Sequence, residues 1–346
     1  MKKILVIHTG GTIGSTAEGA QRNVCVDRAK KILFANFSKS DSPCAHLADF
    51  LLEEAPPDFE TLSENMTVEK WNRLLAHMAR FSLDAYQGVI VLHGTDTLAY
   101  TAALLSFALS DSPVPVMLVA GDKPPASAES NANANFAAAV ELIVQGIAPN
   151  VYVPYRNGDG IVYLHIGATL LPCPPFSDDF KNADAAHCFP LSHACREAVF
   201  EKCRALSQKR AAKAPRFDRL PEGGVLAVFP HVGLSYARVS TEGIRTVLHA
   251  TYHAGTVCVQ GESTSFLAFA ARMKQSGIPL FLAACFCDDD KYSSTAEAVA
   301  HGAVPLAMTA EAAYVKLHLA LALGLDGDGL TAFMRKELAC EFVKKK

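Results

Sequence analysis

No Cys-x-x-Cys pair occurs among the ten cysteines of this chain. They are scattered rather than spaced as a disulfide framework, so reduced thiols in a cytoplasmic compartment are the simple expectation. An excess of one charge sign is also lacking: 32 basic against 35 acidic residues leave a formal net charge of −3. Nothing in that balance attracts a polyanion, and nucleic acid is not expected as a partner. There is no run of about 18 apolar residues, so no membrane span is expected. The basic and then apolar start, Met1–Ile7, stops at His8, too soon for a secretory leader. Internal repeats, low-complexity tracts and heptads are absent too. What is present is an ordinary globular composition, 50% hydrophobic and 19% charged. At roughly 150 residues per domain, 346 residues suggest two domains.

Apolar runs and helical periodicity alternate along the chain. Ile4–Ile7, Val89–Leu92 and Val114–Ala120 are continuous apolar runs, as strands buried on both faces should be. Trp71, Leu74, Leu75, Met78 and Ala79 recur at helical spacing after Thr67, a suitable N-cap. Further helices are expected over 98–109 and 136–147. The fold class predicted is α/β, with a doubly wound, mainly parallel sheet. Tyr152–His165 reads as a hairpin around Asn157–Gly160. We expect an N-terminal catalytic domain over 1–206, a linker over 207–223 and a smaller α/β domain over 224–346. In the latter, helices near 264–275 and 311–323 end close to Gly277 and Gly324, which suit C′ positions.

Two loops carry the chemistry. Thr9-Gly10-Gly11-Thr12-Ile13-Gly14 directly follows the first strand, and His93-Gly94-Thr95-Asp96-Thr97 follows another. Ligands of open parallel sheets bind beyond the carboxyl ends of strands. The G-x-G-x-x-G spacing of dinucleotide loops is absent, because Gly10 and Gly11 are adjacent. A capping role for Thr95 or Asp96 at the start of a helix is the plain alternative. A threonine hydroxyl is a weak nucleophile at neutral pH and needs a partner to take its proton. Thr95, Asp96 and a lysine have the chemistry to supply one.

These residues bring a family into view. TGGTIG near the N-terminus and GVIVLHGTDTLAYTA downstream resemble the bacterial-type L-asparaginases, especially the cytoplasmic type I branch. The resemblance covers most of the chain and thins between Asn150 and Gly223. It implies a two-domain fold, a homodimer or homotetramer, and hydrolysis of an asparagine side-chain amide without metal or cofactor. By the same resemblance Thr12 is the nucleophile of an acyl-enzyme, and Thr95, Asp96 and Lys181 handle protons. Gly11, Gly94, Ser63 and Glu64 bind the small amino-acid amide, Ser63 at its α-carboxylate and Glu64 with Asp96 at its α-ammonium. Such a zwitterion needs donors at one end and acceptors at the other. Lys181 is taken from the run Lys181-Asn182-Ala183-Asp184, with Lys123 as competitor.

The chain also departs from the family. Ser15–Leu33 holds no tyrosine where the family carries one in a mobile loop. Ser130-Asn131-Ala132 stands for Ser-Asp-Gly, and His253-Ala254-Gly255-Thr256 for Gly-x-Gly-Asn. These changes predict impaired or shifted activity, or a tyrosine such as Tyr155 or Tyr292 entering the site from elsewhere. Glutamine, D-amino-acid amides, a component of a tRNA-dependent amidotransferase and a non-catalytic amino-acid sensor are the competing functions. Cys285–Asp290 is read as a strand end and solvated turn rather than a metal site, and Glu341–Lys346 as a frayed end.

Overall fold

Continuous apolar runs fold here as the buried strands of a parallel sheet. In the computed structural model, which describes residues 3–18, 21–24, 26–47, 52–55, 58–286 and 292–345, two units separate, Met1–Ala214 and Pro215–Lys346. The division falls within the aperiodic stretch 207–223.

The first unit begins with β1 (Ile4–His8), followed by a hairpin of β2 (Ser15–Glu18) and β3 (Gln21–Val24). Helix α1 (Val26–Ser38) then leads to β4 (Leu52–Glu54). Alternation continues through α2 (Val68–Met78), β5 (Gly88–Leu92), α3 (Leu98–Ala108), β6 (Val116–Val119), α4 (Ala132–Val144) and β7 (Val151–Arg156). The unit closes with β8 (Val162–Ile166), β9 (Leu170–Leu171), β10 (Lys181–Asn182), β11 (Cys188–Pro190) and α5 (Arg196–Ser207). Among the described residues the main sheet has the order β11-β8-β7-β6-β5-β1-β4. From β4 to β7 every pairing is parallel, and β8 and β11 add antiparallel edges.

That order positions the site. The chain leaves β1 for β4 on one side and then returns to β5 on the other. Outside the carboxyl ends of the strands at such a reversal, here β1 and β5, is where ligands of doubly wound sheets bind. Behind it, α3 is apolar around its whole circumference and buried along its length. Leu98, Ala99, Ala102 and Leu105 pack in one core with Val89, Val91, Leu118 and Val153.

Where the family resemblance places a mobile loop, β2, β3 and α1 stand instead. Arg22 and Asn23 sit in β3, facing Ala17 and Thr16 in register. Their polar sequence carries no strand signal, because pairing between two short polar strands needs no hydrophobic alternation.

The second unit is a four-stranded parallel sheet of β12 (Val225–Val228), β13 (Thr246–Ala250), β14 (Leu280–Ala283) and β15 (Val304–Leu306), in that order. Helices α6 (Phe266–Gln275) and α7 (Ser293–Ala300) contribute to one hydrophobic cluster of this unit. Helices α8 (Ala310–Ala322) and α9 (Gly327–Arg335) contribute to another. Gly277 and Gly324 close α6 and α8 at φ 67° and 72°. The following N–H groups, of Ile278 and Leu325, donate to Met273 O and Ala320 O at 2.9 and 3.0 Å, the six-to-one bond of a Schellman end.

Of the segment read as frayed, residues 341–343 are anchored, and Lys346 lies outside the described residues. Glu341 is wholly buried against an equally buried Lys316, and Val343 N–H reaches Ala307 O at 2.7 Å. Among the described residues no helix is long and apolar enough to cross a membrane. Cys287–Asp290 lies outside the described residues, and elsewhere no group of three His, Cys, Asp or Glu gathers as a metal-binding set.

Burial sets the acid limit of this fold. His8, His93, His165, His249 and His318 are held down at about 4 from an ordinary 6.5, chiefly by loss of solvent. The folded value lies below the unfolded one, so their contribution is complete above pH 6.5 and is lost as the pH falls towards 4. Each imidazole that must stay neutral costs up to about 1.4 kcal/mol per pH unit in that window. Urea midpoints followed by circular dichroism should fall steeply from pH 6.5 to 4.5, and equal midpoints at pH 7.5 and 4.5 would contradict this.

Candidate active site

Three loops meet at the sheet reversal, and they can meet because glycines form the contact. A Cβ added at Gly11 would lie 2.3 Å from Gly94 Cα and N, and one at Gly94 would lie 2.6 Å from Ser63 Cβ and Oγ. The loops after β1, after β4 and after β5 are thus stacked at van der Waals distance. Gly10 and Gly11 also hold φ of 106° and 77°, a region that side chains disfavour.

Backbone bonds fix the stack. Thr9 donates its N–H and Oγ1 to Leu92 O at 3.0 and 2.9 Å. Thr61 N–H reaches Thr9 O at 2.9 Å, and Gly11 N–H reaches Thr61 O at 2.8 Å. Thr12 opens a short 3-10 turn, Thr12–Gly14, closed by Gly14 N–H on Gly11 O and by Ser15 Oγ on Thr12 O at 2.8 Å. Its side chain is half-buried, as is that of Thr95.

Ser63 and Asp96 form the polar centre. Ser63 Oγ donates to Asp96 Oδ2 at 2.7 Å and accepts the Asp96 N–H at 3.2 Å. Thr97 Oγ1 donates to Ser63 O at 2.8 Å. Thr97, not Thr95 or Asp96, is the N-cap of α3, and it makes no side-chain capping bond. The capping alternative therefore explains neither Thr95 nor Asp96. Ser63 is buried, while Asp96 and Glu64 are exposed, so the carboxylates face solvent while the hydroxyl that orients one of them does not. Directly behind, His93 is wholly buried and held neutral, its Nδ1 2.7 Å from Gly94 O.

The glycine contact yields a prediction. Gly94→Ala forces the Ser63 turn and the Thr12 loop apart. Overpacking of this kind costs about 1–3 kcal/mol of stability, and displacing reacting groups by about 1 Å can cost 10²-fold in rate. A variant with wild-type thermal midpoint and wild-type turnover would mean that the loops are not in contact.

Residues 3–163 match the family model described as asparaginase, N-terminal. Those residues form an asparaginase-family domain, and the chain as a whole is similar to L-asparaginases. It is 25% identical to L-asparaginase 1 of Escherichia coli over 98% of both chains. It is 26% identical to a component of the glutamyl-tRNA(Gln) amidotransferase of Aeropyrum pernix, over 98% of this chain and 79% of that protein. The solved structure of the thermostable L-asparaginase from Thermococcus kodakarensis matches with a TM-score of 0.73 at 21% identity, covering 99% of this chain and 100% of that one. That last likeness shows the shared fold.

Within this chain the expected site residues are not all assembled. Gly11, Gly94, Ser63 and Asp96 are brought together, Thr12 and Thr95 follow the two glycines in their loops, and Glu64 is on the same turn as Ser63. Lys181 does not join them by any bond. It is exposed on β10, opposite Leu171, and among the described residues its side chain makes no hydrogen bond or ion pair. Lys123 is ion-paired to Glu129. Tyr155 is wholly buried, edge-to-face on Phe180 at 4.8 Å. It stands three strands from β1, about 14 Å at a strand spacing of ~4.8 Å. Tyr292 is exposed in the second unit.

Sequence reasoning missed Thr61, Lys70, Thr97 and Cys173. Thr61 and Thr97 act through backbone and hydroxyl bonds that leave no motif. Cys173 packs on the core that contains Leu98 and Ala99. Burial, then Asp178, Asp179 and Asp96, push its thiol up to about 12, so it is a neutral thiol within the electrostatic reach of Asp96.

Proposed function

We propose that this chain hydrolyses the side-chain amide of L-asparagine to L-aspartate and ammonia, with Thr12 as nucleophile. Thr12 Oγ1 attacks the amide carbon, the C–N bond breaks, and ammonia leaves with a proton delivered to its nitrogen. Water then attacks the resulting ester, releasing aspartate and restoring the hydroxyl. Thr95, next to Asp96 in the loop after β5, is the group with the chemistry to move those protons. Ser63 and Asp96 receive the amino-acid end, where Ser63 must turn its hydroxyl from Asp96 towards the incoming carboxylate.

The single observation that carries this reading is the stacking of Gly11 on Gly94 at the sheet reversal, which sets both threonine loops against the Ser63–Asp96 pair. Glutamine is the nearest competitor, since one methylene changes binding by only about 1–3 kcal/mol. Homodimeric or homotetrameric assembly in the cytoplasm belongs to the same proposal and is read by light scattering. The unbonded Lys181 favours, as second reading, an amino-acid sensor on the same fold. Ammonia release from asparagine, glutamine, their D-forms and small peptides decides among these. Turnover of asparagine above the others supports the proposal. Calorimetric binding of asparagine without turnover supports the sensor.

A further inference from the structure

Lys70 lies in the first turn of α2 and reaches back over the turn that carries Ser63. Its Nζ donates to Asn65 O at 2.6 Å and to Thr61 Oγ1 at 3.2 Å. Those acceptors bracket Ser63 in sequence, so one ammonium ties both ends of the turn. Among the described residues no carboxylate pairs with it, which leaves its donors committed to neutral oxygens. Charge-assisted bonds of this kind are the stronger ones.

The helix end it reaches from is itself fixed. Lys70 N–H and Trp71 N–H bond Thr67 at Oγ1 and O, at 3.3 and 3.0 Å. Trp71 is buried, and its indole Nε1 donates to Thr101 Oγ1 on α3 at 3.2 Å. The strapped segment needs such help. It is a single 3-10 turn, Ser63–Asn65, held internally by Asn65 N–H on Leu62 O and Met66 N–H on Ser63 O, at 3.1 and 3.0 Å. Short 3-10 turns have poor hydrogen-bond geometry of their own.

We propose that Lys70 is a positioning residue for substrate binding, a strap that holds Ser63 where it can orient Asp96 and receive the amino-acid end of the substrate. The inference rests on the reaction proposed above for its kinetic consequence, but not for its structural one. Because the strap acts on the binding turn and not on Thr12, its loss weakens binding more than it slows the chemical step.

The test compares full-length wild type, Lys70→Met, which keeps the stem and removes the donors, and Lys70→Arg, which restores them. Lys70→Met should raise KM for asparagine about tenfold, with kcat within about twofold. Amide exchange at Asn65 and Met66 should quicken about tenfold in the same variant, with core strands unchanged. Lys70→Arg should recover most of both effects. Wild-type KM and exchange in Lys70→Met would overturn the proposal, as would equal losses in the arginine variant. If Lys70→Met is insoluble, Lys70→Leu takes its place. Should the wild-type chain fail to release ammonia from asparagine, the proposed reaction falls, and the exchange comparison alone decides the strap.

Discussion

Thr12→Ala is expected to lower ammonia release from asparagine by about 10³-fold or more, equivalent to about 4 kcal/mol of transition-state stabilisation. The physical reason is local. The substitution deletes the one hydroxyl placed at the head of the 3-10 turn between Gly11 and Gly14, and with it the atom that bonds to the amide carbon in the proposed reaction. Binding should survive, because the substitution leaves Ser63 and Asp96 untouched. Stability should change little: the Thr12 side chain is half-buried, and the turn is held by Gly14 N–H and Ser15 Oγ rather than by Oγ1. Thr12→Ser, which retains a hydroxyl, should recover part of the rate. Thr95→Ala should also be severely impaired, and the double variant no worse than the poorer single one, as groups acting as a unit behave. Calorimetry with aspartate beside the ammonia assay separates binding from chemistry. Near-normal turnover by Thr12→Ala would remove the nucleophile from the scheme altogether.

The largest effect on stability should come from Glu341→Ala in the second unit. Lys316 and Glu341 are each wholly buried. The ammonium donates to Glu341 Oε1 and Lys336 O at 2.5 Å each and to Met334 O at 3.3 Å. The carboxylate in turn accepts Leu338 N–H at 3.1 and 3.0 Å and Ala339 N–H at 2.8 Å. Burial holds the Lys316 ammonium below its ordinary value against the opposing pull of Glu341. Removing only the carboxylate strands a cation in the core and orphans two backbone donors. Breaking one side of a buried pair costs about 3–5 kcal/mol, whereas replacing both partners by apolar residues is often close to neutral. Urea unfolding of Glu341→Ala against Lys316→Met/Glu341→Leu measures both. A loss under about 1 kcal/mol in the single variant would mean that water reaches the pair.

The readable parts of this molecule are those whose cause is local in sequence. Val89–Leu92 and Val116–Val119 fold as doubly buried strands because apolarity is continuous there. Thr67 caps α2 through its own side chain. The chemistry-bearing loops are legible because Gly-Thr pairs directly after such strands fall at carboxyl ends. What the sequence hides depends on partners distant along the chain. Lys70 looks like a solvated lysine until Asn65 O and Thr61 Oγ1 are seen beside it. Glu341 lies in a lysine-rich tail that reads as disordered, and only Lys316, 25 residues earlier, explains its burial. Lys181 stands out for the run around it, yet a two-residue pairing with β9 leaves its side chain exposed. The reversal between β4 and β5, which places the site, is a property of strand order and is written in no single segment.

The chain contains one tryptophan, Trp71, and its indole is pinned to the helix that follows Thr95, one residue from Lys70. All indole emission from this protein therefore originates where α2 meets the helix that follows Thr95. An unlabelled sample already carries a fluorophore bonded between α2 and α3, and under the proposed function stopped-flow mixing should time the arrival of an amino acid before any bond is broken.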